Sequence, residues 1–215
     1  MAKVAIYRAE VDLENYRSQA MTQLKFYNLN QKNYYEIPVK IDTGSSITLF
    51  RKILLQDLGI TFCAINNEVE AVATNGGRFY VQQVQLNGTL EIGKIRIINP
   101  RIYITNPQTE QETKMDGTRS NLLGFDLLSC CAAFNISMPA NFKAMTCLFQ
   151  FRSDRLEKYC TSIQVPDIYV DELDLDAFGF DYTEWQRNLF KGMSLDELLK
   201  KTTEYQKRIK STLPN

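Results

Sequence analysis

A mainly β fold with a few short helices is predicted by three features of this 215-residue chain. Extended runs rich in β-branched and aromatic residues recur from the N-terminus to about residue 106. Polar, turn-forming pairs separate those runs, and helical periodicity is confined to short stretches.

Residues 24–27 and 34–41 are apolar and alternating, and they flank the polar stretch 28–33, which predicts a hairpin. Residues 47–59 are predicted to form a short helix. Apolar positions 50, 53, 54 and 58 share one face there, and Gly59 supplies a C-terminal stop. Residues 68–73 and 78–86 are two extended runs joined by Thr74, Asn75, Gly76 and Gly77. Asn-Gly is a strong hairpin signal because both residues tolerate positive φ. Asn87-Gly88 marks another turn, and residues 90–98 and 101–105 continue the β pattern. Residues 106–121 are polar and lack hydrophobic periodicity, so an exposed loop is expected. Residues 122–128 read as a strand end running into a helix, and residues 144–151 as the final strand.

Beyond about residue 165 the composition changes. Residues 167–181 are acidic with interspersed aromatics, and Ser194-Leu195-Asp196-Glu197 is a capping box opening a helix to about Lys210. The expected organisation is a β domain over 1–160, followed by an acidic linker and helical C-terminal extension over 161–215. Trp185, Leu189 and Phe190 give that extension an apolar face to bury.

Composition removes several function classes. Twenty-five basic residues balance 25 acidic ones, and they are scattered, so neither nucleic acid nor an anionic membrane surface is expected as a partner. The first ten residues lack the apolar core of a secretory signal. No apolar run approaches the roughly 18–20 residues needed to cross a bilayer. Five cysteines form no Cys-x-x-Cys pair, and the expectation is reduced, mostly buried thiols in a cytoplasmic protein. Cys130-Cys131 likewise reads as buried thiols. Histidine is absent, which eliminates Ser-His-Asp and Cys-His nucleophiles and histidine-based zinc sites. The carboxylates at Asp167, Asp171, Glu172, Asp174 and Asp176 lack the glycine-bearing calcium-loop spacing and read as a solvated linker. No metal and no cofactor are expected. Carboxylate acid–base chemistry survives that elimination.

One segment suits such chemistry. In Val39-Lys40-Ile41-Asp42-Thr43-Gly44-Ser45-Ser46 an apolar strand delivers the Asp42 carboxylate to its end. A glycine whose amide can donate to it follows, along with the hydroxyls of Thr43, Ser45 and Ser46. Such donors can hold an ionised carboxylate in a partly buried place. Taken alone, Asp-Thr-Gly is also ordinary turn chemistry. Its context is an apolar run before it, a glycine-tipped hairpin some thirty residues on, and Leu122-Leu123-Gly124-Phe125-Asp126 near the end of the β region.

That order resembles the retropepsin-like aspartic proteases, across residues 20–151. The resemblance implies a retropepsin-like acid-protease fold, a closed β-barrel or sheet with short helices. It makes Asp42 the catalytic aspartate and Thr43 the hydroxyl that crosses to brace a partner's loop. Gly44 becomes the amide that steadies the carboxylate, with Ser45 supporting the same loop. Asn75, Gly76 and Gly77 become the flap over bound peptide, and Leu123, Gly124 and Asp126 the segment packing beneath the loop. Phe125 departs from the pattern, since many members carry arginine there. The motif occurs once, so a two-aspartate site requires a homodimer. The expected activity is endopeptidase cleavage of a polypeptide substrate. The alternative is a retropepsin-fold module that dimerises or binds peptide without cleaving it.

Overall fold

Ile37, Val39 and Ile41 alternate with Pro38 and Lys40, and the first set is almost fully buried, at 0%, 0% and 8% exposure. This two-residue period makes Asn33–Ile41 a strand, β3, with one face in the core. The same logic shapes the rest of the chain. The computed structural model describes residues 3–174 apart from 17–18, 74–76 and 138–144. Two compact units separate, Val4–Leu173 and a second comprising Met1–Lys3 with Asp174–Asn215. The second unit falls almost wholly outside the described residues. The expected C-terminal helix, with Trp185, Leu189 and Phe190, lies there.

β1 (Lys3–Tyr16), β2 (Gln19–Asn28) and β3 form an antiparallel meander. The β2–β3 hairpin has the predicted position, pairing Asn28 with Asn33. After β3 come β4 (Leu49–Phe50), α1 (Lys52–Asp57), β5 (Phe62–Ala64) and the hairpin of β6 (Val69–Val72) with β7 (Arg78–Leu86). Next are β8 (Gly88–Ile92), β9 (Ile95–Ile98), β10 (Arg101–Thr105), α2 (Glu110–Asp116), β11 (Asn121–Leu123) and α3 (Phe125–Leu128). β12 (Cys131–Ser137), β13 (Met145–Arg152), α4 (Ser153–Leu156), β14 (Ser162–Gln164) and β15 (Val170–Asp174) complete the series.

Fifteen strands share one hydrogen-bonded sheet, ordered β12-β13-β1-β2-β3-β11-β4-β10-β7-β5. The mainly β expectation is met, but the path runs from β12 to β5 without returning on itself, so it is open rather than a closed barrel. Instead of closing, it branches: β8 leaves β7 to pair with β2, and β9 and β14 follow it. The core lies between these branches and includes Phe26, Phe50, Leu90, Ile104, Phe149 and Phe151, none more than 1% exposed. Each such side chain contributes about 1.5–3 kcal/mol by leaving water. The sheet also continues past residue 160, because β14 pairs with β9 and β15 with β1. The strand at 145–152 is therefore not the last.

Two local expectations are corrected. The helix predicted over 47–59 begins only at Lys52, because Leu49 and Phe50 pair with Tyr103 and Ile104 of β10, and Leu49 also with Leu122 of β11. Its fully buried residue is Leu55, which is not on the predicted face. Gly59 does end the turn, at φ +61°, where any side chain would be strained. The loop expected over 106–121 contains α2. Thr109 caps it by accepting from the Glu112 amide at 3.1 Å, and the Glu112 carboxylate accepts from the Gln108 amide at 2.7 Å. The first bond satisfies an otherwise unpaired first-turn amide, and the second ties down the residue entering the helix.

Candidate active site

The site arises from the way three strands are threaded. β3 and β11 run parallel, with Ile41 beside Leu123, and β4 lies antiparallel on the other side of β11. The chain leaving β3 must therefore pass over the end of β11 before it returns as β4. Residues 42–48 make that crossing, and Asp42 is the first of them. Its amide donates to the Leu123 carbonyl at 3.0 Å, extending the β3–β11 ladder by one bond.

Gly124 sits directly beneath the crossing. A Cβ there would lie 2.1 Å from the Ile47 oxygen and 2.8 Å from the Thr48 nitrogen. Only glycine admits so close an approach. The following residues then tie the loop down. The Phe125 amide donates to the Ser45 carbonyl at 2.8 Å, and the Gly124 amide to Thr48 Oγ1 at 3.1 Å. Thr48 Oγ1 in turn donates to Asp126 Oδ1 at 2.6 Å, which also accepts from the Leu127 amide at 2.7 Å. Leu123, Gly124 and Asp126 thus lie beneath the Asp42 loop. Ser45 turns inward, its hydroxyl donating to the Ile47 carbonyl at 2.8 Å, whereas Thr43 is exposed. Phe125, at the arginine position, is 56% exposed beside this loop.

The Asp42 carboxylate has two partners. Gly44 donates its amide to Oδ1 at 3.0 Å, and Lys40 Nζ stands 2.8 Å from Oδ2. Lys40 and Asp42 are two residues apart on one strand line, so their side chains leave on the same face. The Lys40 hydrogen bond is the main cause that holds the Asp42 carboxyl below the usual carboxylate range. Partial burial opposes it, and the Gly44 and Ser45 amides and the Lys40 charge add to it. Partners of this kind favour the ionised form of the carboxyl.

Asp42 opens into a cleft of about 480 Å³. One wall is the crossing loop with Leu49 and Leu122, the other is the β6–β7 hairpin with Val69, Ala71, Phe79 and Val81, and Arg119 also lines the cleft. Of the expected flap residues, Gly77 is exposed and accepts from the Ala73 amide at 2.7 Å. Asn75 and Gly76 lie outside the described residues. A larger hollow of about 850 Å³, lined by Glu10, Glu36, Glu91, Lys94 and Arg96, shares no residue with this cleft. The cleft that holds Asp42 is the candidate site.

Among the described residues no group of three or more His, Cys, Asp or Glu is placed to hold a metal ion, and no helix is long and apolar enough to cross a membrane. The five cysteines form no disulfide. Burial raises the Cys130 thiol to about 12, and raises Cys131 as well, so neither offers a thiolate near neutral pH.

Sequence reading missed Lys40, Thr48 and Arg119 at this site. Lys40 was recoverable from the i, i+2 rule. Thr48, buried inside the apolar run 47–50, was hidden by the helix predicted there. Arg119 carried no signal, since only packing brings it to the cleft.

Residues 27–127 match the family model described as aspartyl protease. No curated protein matches the chain. The crystal structure of a retropepsin-like aspartic protease from Rickettsia conorii is 18% identical over 71% of this chain and 99% of its own, with a TM-score of 0.41. That likeness is too loose to bear weight, and the assignment rests on the sequence match and the motif it contains. Over residues 27–127, the span that holds Asp42, the crossing loop and the segment bracing it, the chain is similar to the aspartyl protease family.

Proposed function

We propose that the chain is a homodimeric aspartic endopeptidase in which Asp42 supplies one of two catalytic carboxylates. The observation that carries this is the Asp42 carboxylate itself. It is held by the Gly44 amide at 3.0 Å and opens into a cleft walled by the β6–β7 hairpin. The motif occurs once in the sequence, so a second carboxylate comes from a second copy across a twofold axis.

Two carboxylates at close range share one proton; the aspartic-protease pair is the standard example of this coupling, and its behaviour is carried over to Asp42 by analogy. The ionised member takes a proton from water, whose oxygen attacks the scissile carbonyl carbon. The protonated member donates to the carbonyl oxygen. In collapse of the tetrahedral intermediate the amide nitrogen takes a proton, the C–N bond breaks, and acid and amine leave. Thr43, exposed on the loop, is proposed to brace the partner's loop. The hairpin tip, with Asn75, Gly76 and Gly77, is proposed to close over an extended polypeptide bound as an added strand. Residues 1–160 are proposed as the protease domain, with β14 and β15 continuing its sheet, and the remainder of 161–215 as an appendage that supports the dimer. Free, largely buried thiols fit a reducing cytoplasm.

The Lys40–Asp42 ion pair favours a second reading, a module that binds peptide without cleaving it, because a lysine-bound carboxylate shares a proton less readily. The test is peptide-library cleavage over about pH 4–7, a range that begins near the ordinary carboxylate value, with and without a pepstatin-type inhibitor. Inhibitor-sensitive cleavage that is lost in Asp42→Asn, with the dimer retained by sedimentation, is the expected result. Cleavage that survives Asp42→Asn overturns the assignment, and binding without cleavage selects the second reading.

A further inference from the structure

We infer that Arg119 makes this cleft selective for an acidic side chain close to the scissile bond, an inference that rests on the endopeptidase reading. The charges around the cleft do not all cancel. Asp42 is neutralised by Lys40 at 2.8 Å, and Glu70 by Arg78 at 3.2 Å. Arg119, which lines the same cleft, has no carboxylate partner among the described residues. The unmatched charge on the cleft wall is thus a single cation.

That cation is held in place. Its guanidinium carbon lies 4.1 Å from the centroid of the Phe79 ring, on the hairpin wall. Stacking by the face orders a guanidinium while leaving its edge donors free. A planar, pre-ordered set of N–H groups matches a carboxylate better than any neutral group. In a dimer the feature is present twice, once on either side of the scissile bond.

Asp116 is the competing partner. It is 2% exposed, and among the described residues neither of its carboxylate oxygens has a hydrogen-bond partner. It lines with Arg119 a hollow of about 30 Å³. The two form no ion pair in the structure, so the guanidinium remains with Phe79 and the cleft.

The test uses the full-length protein and peptides capped at both ends, so that only side-chain carboxylates are offered. Glu, Gln or Lys is placed in turn at each position flanking the scissile bond. Wild type is expected to show a kcat/KM ratio of Glu to Gln of about tenfold or more at one or more positions, the size expected for hydrogen bonds to a charged group. Arg119→Met should bring that ratio close to one, Arg119→Lys should retain part of it, and Arg119→Glu should favour Lys peptides. A wild-type ratio near one at every position overturns the inference, as does a ratio that Arg119→Met leaves intact. If Asp116→Asn creates a preference absent from wild type, the guanidinium belongs to Asp116 and the inference falls. If no peptide is cleaved, the endopeptidase reading fails separately, and binding of the same peptides to Asp42→Asn decides the selectivity. Glu peptides binding about tenfold tighter than Gln peptides uphold carboxylate recognition, and equal binding overturns it.

Discussion

Replacing Gly124 with alanine should damage this protein more than its single added methyl suggests. The new Cβ would lie 2.1 Å from the Ile47 oxygen and 2.2 Å from the Ile47 carbon, where ordinary contact begins at 3.4 Å. Both obstacles are backbone, so no rotamer change relieves them, and the crossing loop must lift by more than 1 Å. Forced overpacking costs about 1–3 kcal/mol. Lifting the loop also strains the buried Gly124 amide to Thr48 bond, and a buried donor left unpaired adds roughly 1–3 kcal/mol. A total of about 2–6 kcal/mol is therefore expected. With a urea m-value of about 2 kcal/mol/M, the unfolding midpoint should fall by roughly 1–3 M. Activity should fall further than the folded fraction, because misplacing a catalytic group by about 1 Å costs on the order of a hundredfold. Gly117→Ala is the control. Gly117 has helical geometry, and an added Cβ there meets only the Lys114 oxygen at 3.4 Å and the Thr113 oxygen at 3.9 Å, so its stability should change by less than about 1 kcal/mol. A Gly124→Ala midpoint within about 0.3 M of wild type would refute the threading argument.

Lys40→Met should move the acid loss of both stability and cleavage to higher pH. Lys40, with the Gly44 and Ser45 amides, depresses the Asp42 carboxyl in the folded protein. Its contribution to stability is thus complete above the unfolded value and lost as pH falls through the folded one. Without the ammonium the carboxyl protonates sooner, and acid unfolding and pH–rate profiles that stay put would sink this account. Thiol labelling should separate Cys63, which is exposed, from Cys130, Cys147 and Cys160, which are buried with thiols raised to about 12, 11 and 11. Cys63→Ser should remove the fast phase of Ellman's reaction; a fast phase that persists would place another thiol at the surface.

What could be read from the sequence, and what could not, divides along the range of the forces involved. Strand β3, the β6–β7 hairpin and the Asp42 loop were legible because alternation and turn chemistry act between near neighbours. Residues 47–50 were misread because an apolar run fits a helix face as well as a buried strand. The choice was made by β10 and β11, more than fifty residues away in sequence. Helix α2 was missed for the opposite reason: its Thr109–Glu112 capping box was local and visible, but its polar face offered no periodicity to notice. The charges follow the same division. Lys40 reaches Asp42 by simple strand alternation, so the pairing was available from spacing alone. Arg119 reaches the cleft only because α2 and β11 deliver it to Phe79. In the proposed enzyme, catalytic capability is therefore written locally, around Asp42, while the inferred selectivity depends on the tertiary assembly. Changes at Arg119 should alter which peptides are chosen before they alter whether peptides are cut.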